Sequence, residues 1–255
     1  MERPEHVPLG KWLIAGGIWI FGDNTVGWRA PSIFFSIVSI FLFYFICRRL
    51  VRRNSLPDGE EQTGRMGRWF RLSTFIPVAA VFLFATENMS FVMGHIAMLD
   101  VFSIAFMLLG FLLYLRGNYL SCGFVMGLSM LCKAMALLAV LAIAIHLIIT
   151  RWSEIWAIVR QCGRRLLRKP KLPDIRYRVL EALLIPLMLC ITWVVLIPLL
   201  EYPATHEWVD PVTRTEQMLD THLSLNDEDY GSPTGMATNP WKWLIWPAGI
   251  YYWHD

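Results

Sequence analysis

"APSIFFSIVSIFLFYFICRRLVRR", residues 30–53, runs from Ala30 to Cys47 without a charge and then places arginine at Arg48, Arg49, Arg52 and Arg53. An uncharged run of this kind approaches the ~20 residues that carry a helix across a hydrocarbon core of about 30 Å. The arginines behind it mark the cytoplasmic end of such a span. Further uncharged runs follow at Leu72 to Thr86, Val101 to Leu115, Gly117 to Cys132, Ala134 to Thr150 and Ala182 to Leu200. Of the 255 residues, 56% are apolar and 17% charged, against roughly 45–50% and about 25% in an ordinary soluble domain. The chain therefore reads as all-α, a polytopic membrane helical bundle of about six transmembrane helices near 30–47, 72–86, 97–115, 118–132, 134–150 and 179–200.

Charge fixes the expected orientation. Residues 48–71 carry seven Arg and residues 151–178 carry nine Lys or Arg, so both stretches belong in the cytoplasm. Four crossings fit between them, which puts the Arg116-Gly117-Asn118 link inside and Lys133 at an outward junction. The last span then leads outward. Residues 1–201 form the membrane core, and 202–255 an outward-facing loop leading to a further membrane segment. The basic loops could also touch nucleic acid or anionic lipid, but no DNA-binding pattern accompanies them. The five Cys show no CxxC spacing and read as small packing residues.

The outward side gathers the chemistry. Leu9 to Phe21 is apolar but too short to cross, with Trp12 and Trp19 on nearly one face, and is expected to lie along the outer interface. Gly22-Asp23-Asn24 makes a turn, and Trp28-Arg29 anchors the first full span. In "TENMSFVMGHIAMLDVF", residues 86–102, Glu87, His95 and Asp100 interrupt apolar sequence. Ionisable groups at membrane depth are costly and point to a site by default. Asp100 is either a group projecting into an outer cavity or a cap on a neighbouring helix. His95 is a site residue or an interfacial polar one, and Glu87 a site residue or a helix-end charge in water. Lys133 either snorkels to the surface or binds an anionic headgroup. The tail "NPWKWLIWPAGIYYWHD" suits an interfacial aromatic belt or a sugar-stacking surface.

Three of these stretches together resemble the membrane protein O-mannosyltransferases and the wider group of polyprenyl-phosphate-sugar glycosyltransferases with the GT-C fold. The family pattern His-Pro-Pro-Leu-Gly-Lys, then Phe-Gly and Gly-Trp-Arg-x-Pro-Ser, is matched by His6-Val7-Pro8-Leu9-Gly10-Lys11, Phe21-Gly22 and Gly27-Trp28-Arg29-Ala30-Pro31-Ser32, with Val7 in place of one Pro. Glu87-Asn88 and Met98-Leu99-Asp100 match the family's Glu-Asn and Met-Leu-Asp, and Gly123 to Lys133 its small-residue helix ending Cys-Lys. Family members commonly carry Arg at or beside His95. On this resemblance the chain is an internal piece, without the first span, the outer loop holding the family's catalytic Asp-Glu pair, and the later spans.

The resemblance implies transfer of a sugar, mannose by family, from a dolichyl or other polyprenyl phosphate to Ser or Thr of exported proteins. Asp100 is the catalytic candidate, as accessory base or acceptor-orienting group. His6, Lys11, Arg29, Glu87, His95 and Lys133 are the substrate-binding candidates. No cofactor is implied, and Asp100 with His95 is too small a set to specify a divalent metal. The implied partners are a polyprenyl-phosphate-linked sugar, an acceptor protein, the lipid bilayer and, as an open option, further copies of the chain, but not nucleic acid. The site faces the outside of a cell membrane, or the endoplasmic reticulum lumen in a eukaryote. The rival readings are an inactive scaffold subunit of such an enzyme and a helical transporter; no internal repeat of the transporter kind is present.

Labelling of engineered cysteines from outside is expected to reach positions near 90 and 225 and to spare 60 and 165. The reverse pattern would overturn the orientation.

Overall fold

The structure, a computed structural model, describes residues 8–54, 65–87, 98–150, 152, 156, 183–206 and 208–224. Every regular element among them is helical: α1 (Pro8–Phe21), α2 (Thr25–Asn54), α3 (Arg65–Thr86), α4 (Leu99–Arg116), α5 (Tyr119–Met130), a 3-10 turn (Ala134–Ala136), α6 (Leu137–Thr150), α7 (Leu184–Thr205) and α8 (Pro211–Ser224). A helix satisfies its backbone within one segment, which is what an apolar environment demands.

Three helical stretches are long and apolar enough to cross a membrane: Thr25–Arg52, Leu99–Arg116 and Leu184–Pro203. The other apolar helices are shorter. At ~1.5 Å per residue, the 12 residues of α5 and the 14 of α6 reach only about 18 and 21 Å. Expected boundaries also move. α2 begins before Ala30 and α3 before Leu72, so residues 65–71 of the expected basic loop are helical. α7 runs past residue 201 to Thr205, where His206 adopts φ 57° and donates its N–H to Tyr202 O at 2.8 Å.

Residues 6–211 form one compact unit, and its contacts fix the direction of each helix. Phe35 of α2 meets Phe102 of α4 edge to face, with ring centroids 5.1 Å apart, and Arg49 Nε donates to Leu115 O at 3.1 Å; α2 and α4 therefore run parallel. Phe43 of α2 lies 4.8 Å from Phe84 near the end of α3, so the later half of α2 packs on the end of α3. Gly117 (φ 81°) closes α4 in a left-handed turn, and the Asn118 side chain accepts the Ser121 N–H, which sends α5 back along α4. The Tyr114 hydroxyl bonds His146 Nδ1 at 2.6 Å, placing the end of α6 beside the end of α4. Gly123 meets Ile185 and Gly127 meets Thr192, so α7 runs with α5, opposite to α2, α4 and α6. One end of the unit holds Arg48, Arg49, Arg52 and Arg116; the other holds Asp100 and Lys133.

α5 is the centre of this unit, packed against α4 and α7. Cys122 and Met126 of α5, Ala139 and Ile143 of α6, and Ile185 and Leu189 of α7 make one buried cluster. Close approach is possible because α5 presents glycines one turn apart. A Cβ on Gly123 would strike the Ile185 backbone, and one on Gly127 would lie 2.6 Å from Thr192 Cβ. Small residues at such spacing let helices associate where lipid removes the hydrophobic drive.

α1 lies across the Asp100 end. Its Leu9 N–H donates to Leu131 O at 3.1 Å, Gly10 packs on the Leu99 side chain and Gly17 against Pro31, and Trp12 Nε1 donates to Leu200 O at 2.7 Å. It packs against α2 and touches α4, α7 and the turn after α5. The turn after it forms as the sequence indicates: Gly22 has φ 83°, and Asn24 Oδ1 caps α2 by accepting the N–H groups of Val26 at 2.9 Å and Gly27 at 3.0 Å.

The second unit comprises residues 1–5 and 212–255, of which residues 212–224 are described as most of α8. This stretch falls in what was expected to be a loop. The helix opens on Pro211, whose fixed φ suits a first helical position.

Gly127→Leu is expected to destabilise the protein by about 1–3 kcal/mol through overpacking, read as a lower thermal midpoint in detergent. Gly16→Ala, where a Cβ meets nothing within 4 Å, should hold or raise that midpoint.

Candidate active site

Asp100 stands in the first turn of α4, whose N-cap residue Met98 is extended and offers no side-chain cap. A carboxylate there meets the positive end of the helix dipole. Lys133 lies just beyond α5. The turn that carries it is held by Leu131 N–H to Gly127 O at 3.0 Å, Cys132 N–H to Ser129 O at 3.1 Å and Lys133 N–H to Ser129 O at 3.0 Å. Lys133 Nζ donates to Asp100 Oδ1 in a close ion pair. The Lys133 side chain is 36% exposed and that of Asp100 20%, so both charges are shielded yet open to a ligand.

A second polar link underlies this pair. Ser103, one turn into α4 from Asp100, and Ser129, one turn before Lys133, bond each other twice over. Ser129 Oγ donates to Ser103 O at 2.7 Å, Ser103 Oγ lies 3.2 Å from Ser129 O, and the two hydroxyls are 3.1 Å apart. Both serines are buried. Buried hydroxyls are tolerated when bonded, and here the bonds fix the register of α4 against α5. That register brings the two charges together.

The sequence candidates divide accordingly. Asp100 and Lys133 are in direct contact. Lys11 follows the anchored Leu9-Gly10 segment of α1 at the same end, and its side chain is exposed. Arg29, near the start of α2, is also exposed at that end, and Glu87, just past α3, is exposed. Among the described residues, Lys133 is the cation that reaches Asp100. His6 and His95 lie outside the described residues, as does the aromatic tail. Among the described residues no group of three or more His, Cys, Asp or Glu could hold a metal ion.

Sequence reasoning passed over three residues here. Ser103 and Ser129 look like ordinary small residues, and only their offsets of one turn from Asp100 and Lys133 hint at a role. Glu201 is a carboxylate only 6% exposed in α7, beside the Leu200 carbonyl that takes the Trp12 indole. Its signal was the acidic residue closing the run Ala182 to Leu200.

Chemically, an ammonium has three donors. Lys133 can hold the Asp100 carboxylate and still offer an N–H to an anionic oxygen. A phosphate beside a carboxylate is the arrangement such a pair can assemble.

Two sequence relatives match part of the chain. Over 106 residues the chain is 32% identical to the polyprenol-phosphate-mannose–protein mannosyltransferase of Mycolicibacterium smegmatis and, at the same identity and length, to that of Mycobacterium tuberculosis. The chain is similar to a segment of a mannosyltransferase. The match spans 42% of this chain, and 17% and 16% of the two relatives. No family model matches the chain, and no solved structure gives a significant match.

A double-mutant cycle of Asp100→Asn and Lys133→Met, followed by thermal unfolding in detergent, is expected to show a coupling energy of about 0.5–3 kcal/mol. Strictly additive effects would mean that the two charges do not meet.

Proposed function

We propose that this chain is part of a membrane glycosyltransferase that moves mannose from a polyprenyl phosphate to a Ser or Thr hydroxyl of an exported protein. The observation that carries this reading is the Asp100–Lys133 pair at the end of the helical unit that α1 lies across. The similarity to mannosyltransferases whose names specify a polyprenol-phosphate-mannose donor and a protein acceptor supports it.

On this reading the helices α2 to α7 make six passages of a GT-C-like bundle, with the Asp100 end outward. The donor keeps its polyprenyl tail in the bilayer and presents its sugar phosphate at that end. The hydroxyl oxygen attacks the anomeric carbon, the bond from that carbon to the phosphate oxygen breaks, and the polyprenyl phosphate leaves with the bond's electrons. Asp100 accepts or orients the hydroxyl proton. Lys133, with Lys11, Arg29 and His6 as further candidates, offsets the charge gathering on the departing phosphate. His95 and Glu87 are placed by sequence in the outer segment leading to Asp100 and would contact donor or acceptor.

The complete polypeptide in membranes should transfer labelled mannose from a polyprenyl phosphate to a Ser/Thr peptide, and Asp100→Asn should lower that rate by about 10²-fold or more. An unchanged rate would remove Asp100 from the site. Label accumulating inside vesicles with none on the peptide would favour a transporter instead.

A further inference from the structure

The opposite end of the unit carries a cleft of about 1090 Å³, just above the roughly 300–1,000 Å³ typical of small-molecule pockets. Arg48, Arg49 and Arg52 reach it from the last turns of α2, and Arg116 from the end of α4. No Asp or Glu is among its described lining residues. Four guanidinium groups around one concavity repel one another unless an anion joins them.

Topogenic charge explains why arginines lie at this end, but not why two stretches more than sixty residues apart in sequence converge on a walled cleft. The walls are built. Arg49 Nε is tied to the Leu115 carbonyl at 3.1 Å, and the Tyr114 hydroxyl is tied to His146 at 2.6 Å, bracing α4 against α6. Phe45, Leu112 and Leu147 supply an apolar side on helices of which two include candidate spans. Arginine suits this task, since its planar fork grips phosphate oxygens two at a time.

We propose that this cleft is a phosphate-ester site whose occupant is the headgroup of an anionic glycerophospholipid. The phosphate sits among the arginines while the acyl chains leave along the apolar wall. A lipid fits both halves of the lining, and basic pockets between membrane helices bind such headgroups. The assignment concerns the end remote from Asp100 and does not rest on the transfer chemistry.

The test uses the complete polypeptide, delipidated in neutral detergent and titrated by native mass spectrometry with phosphatidylglycerol, phosphatidylcholine or inorganic phosphate. Phosphatidylglycerol should bind at least tenfold more tightly than phosphatidylcholine. Arg52→Gln and Arg116→Gln should each weaken it by about fivefold, the equivalent of ~1 kcal/mol per basic residue at an anionic surface. Arg116→Lys keeps the charge and should retain most of the binding, which separates loss of the site from loss of the fold. Asp100→Asn should leave lipid binding unchanged. Equal affinity for the two lipids, or wild-type binding by the double glutamine variant, would overturn the proposal. Inorganic phosphate competing as tightly as phosphatidylglycerol would assign the cleft to a soluble phosphate ester and overturn the lipid.

Discussion

Opposite charges on Asp100 and Lys133 meet across two helix ends, and much of the unit's arrangement can be read from what that contact requires. A charge at the edge of an apolar bundle is expensive alone and tolerable when paired. The pairing needs α4 to start where α5 stops, which in turn needs the tight left-handed turn at Gly117 to send α5 straight back. It needs the register set by Ser103 and Ser129, and it needs α5 to sit deep between its neighbours, which the small faces at Gly123 and Gly127 permit. α1 completes the end by docking its first turn on Leu131 and Leu99. Moving any of these would separate the charges and leave each without its partner.

The two ends of the unit differ in chemistry because they solve different electrostatic problems. At the Asp100 end opposite charges meet within the protein, and a ligand there would share the Lys133 ammonium with the Asp100 carboxylate. At the arginine end the charge is of one sign and is balanced within the described lining only by helix-end carbonyls such as that of Leu115. The positive-inside rule demands the arginines but says nothing of their company. The cleft between Arg52 and Arg116 is where topology and packing combine to concentrate a field that an anion can relieve.

Hydropathy made the helical class legible because a long uncharged run has few alternatives in a chain this apolar. The turn at Gly22-Asp23-Asn24 and the link at Gly117 were equally legible, since a left-handed residue and an Asn cap leave marks in sequence. Lengths were not. α5 ends at Met130 although the uncharged run continues to Cys132, because the stop is a backbone turn through Leu131 and Cys132, with no breaker residue to announce it. α8 lies in a polar stretch with no uncharged run to mark it as an element. The individual charges Asp100 and Lys133 stood out, but their contact spans 33 positions and depends on the antiparallel return of α5, which no local pattern encodes. The serine link was hidden for the same reason.

On the transfer reading, the resting ion pair is also a means of ordering events. An arriving phosphate draws on the donors of Lys133, whose backbone is held by the Ser129 carbonyl while the ammonium changes partners. The carboxylate of Asp100, held by the first turn of α4, then has an oxygen available for an acceptor hydroxyl. Donor and acceptor thus meet the same two side chains, one charge each, and the distance between them is set by helix packing that was in place before either arrived. A site built from two rigid helix ends needs little rearrangement for this, which is where preorganised electrostatics exceeds what water could supply. The buried Glu201 in α7, beside the Leu200 carbonyl that anchors Trp12, lies next to the helix that crosses this end, so a carboxylate from a third helix borders the same assembly.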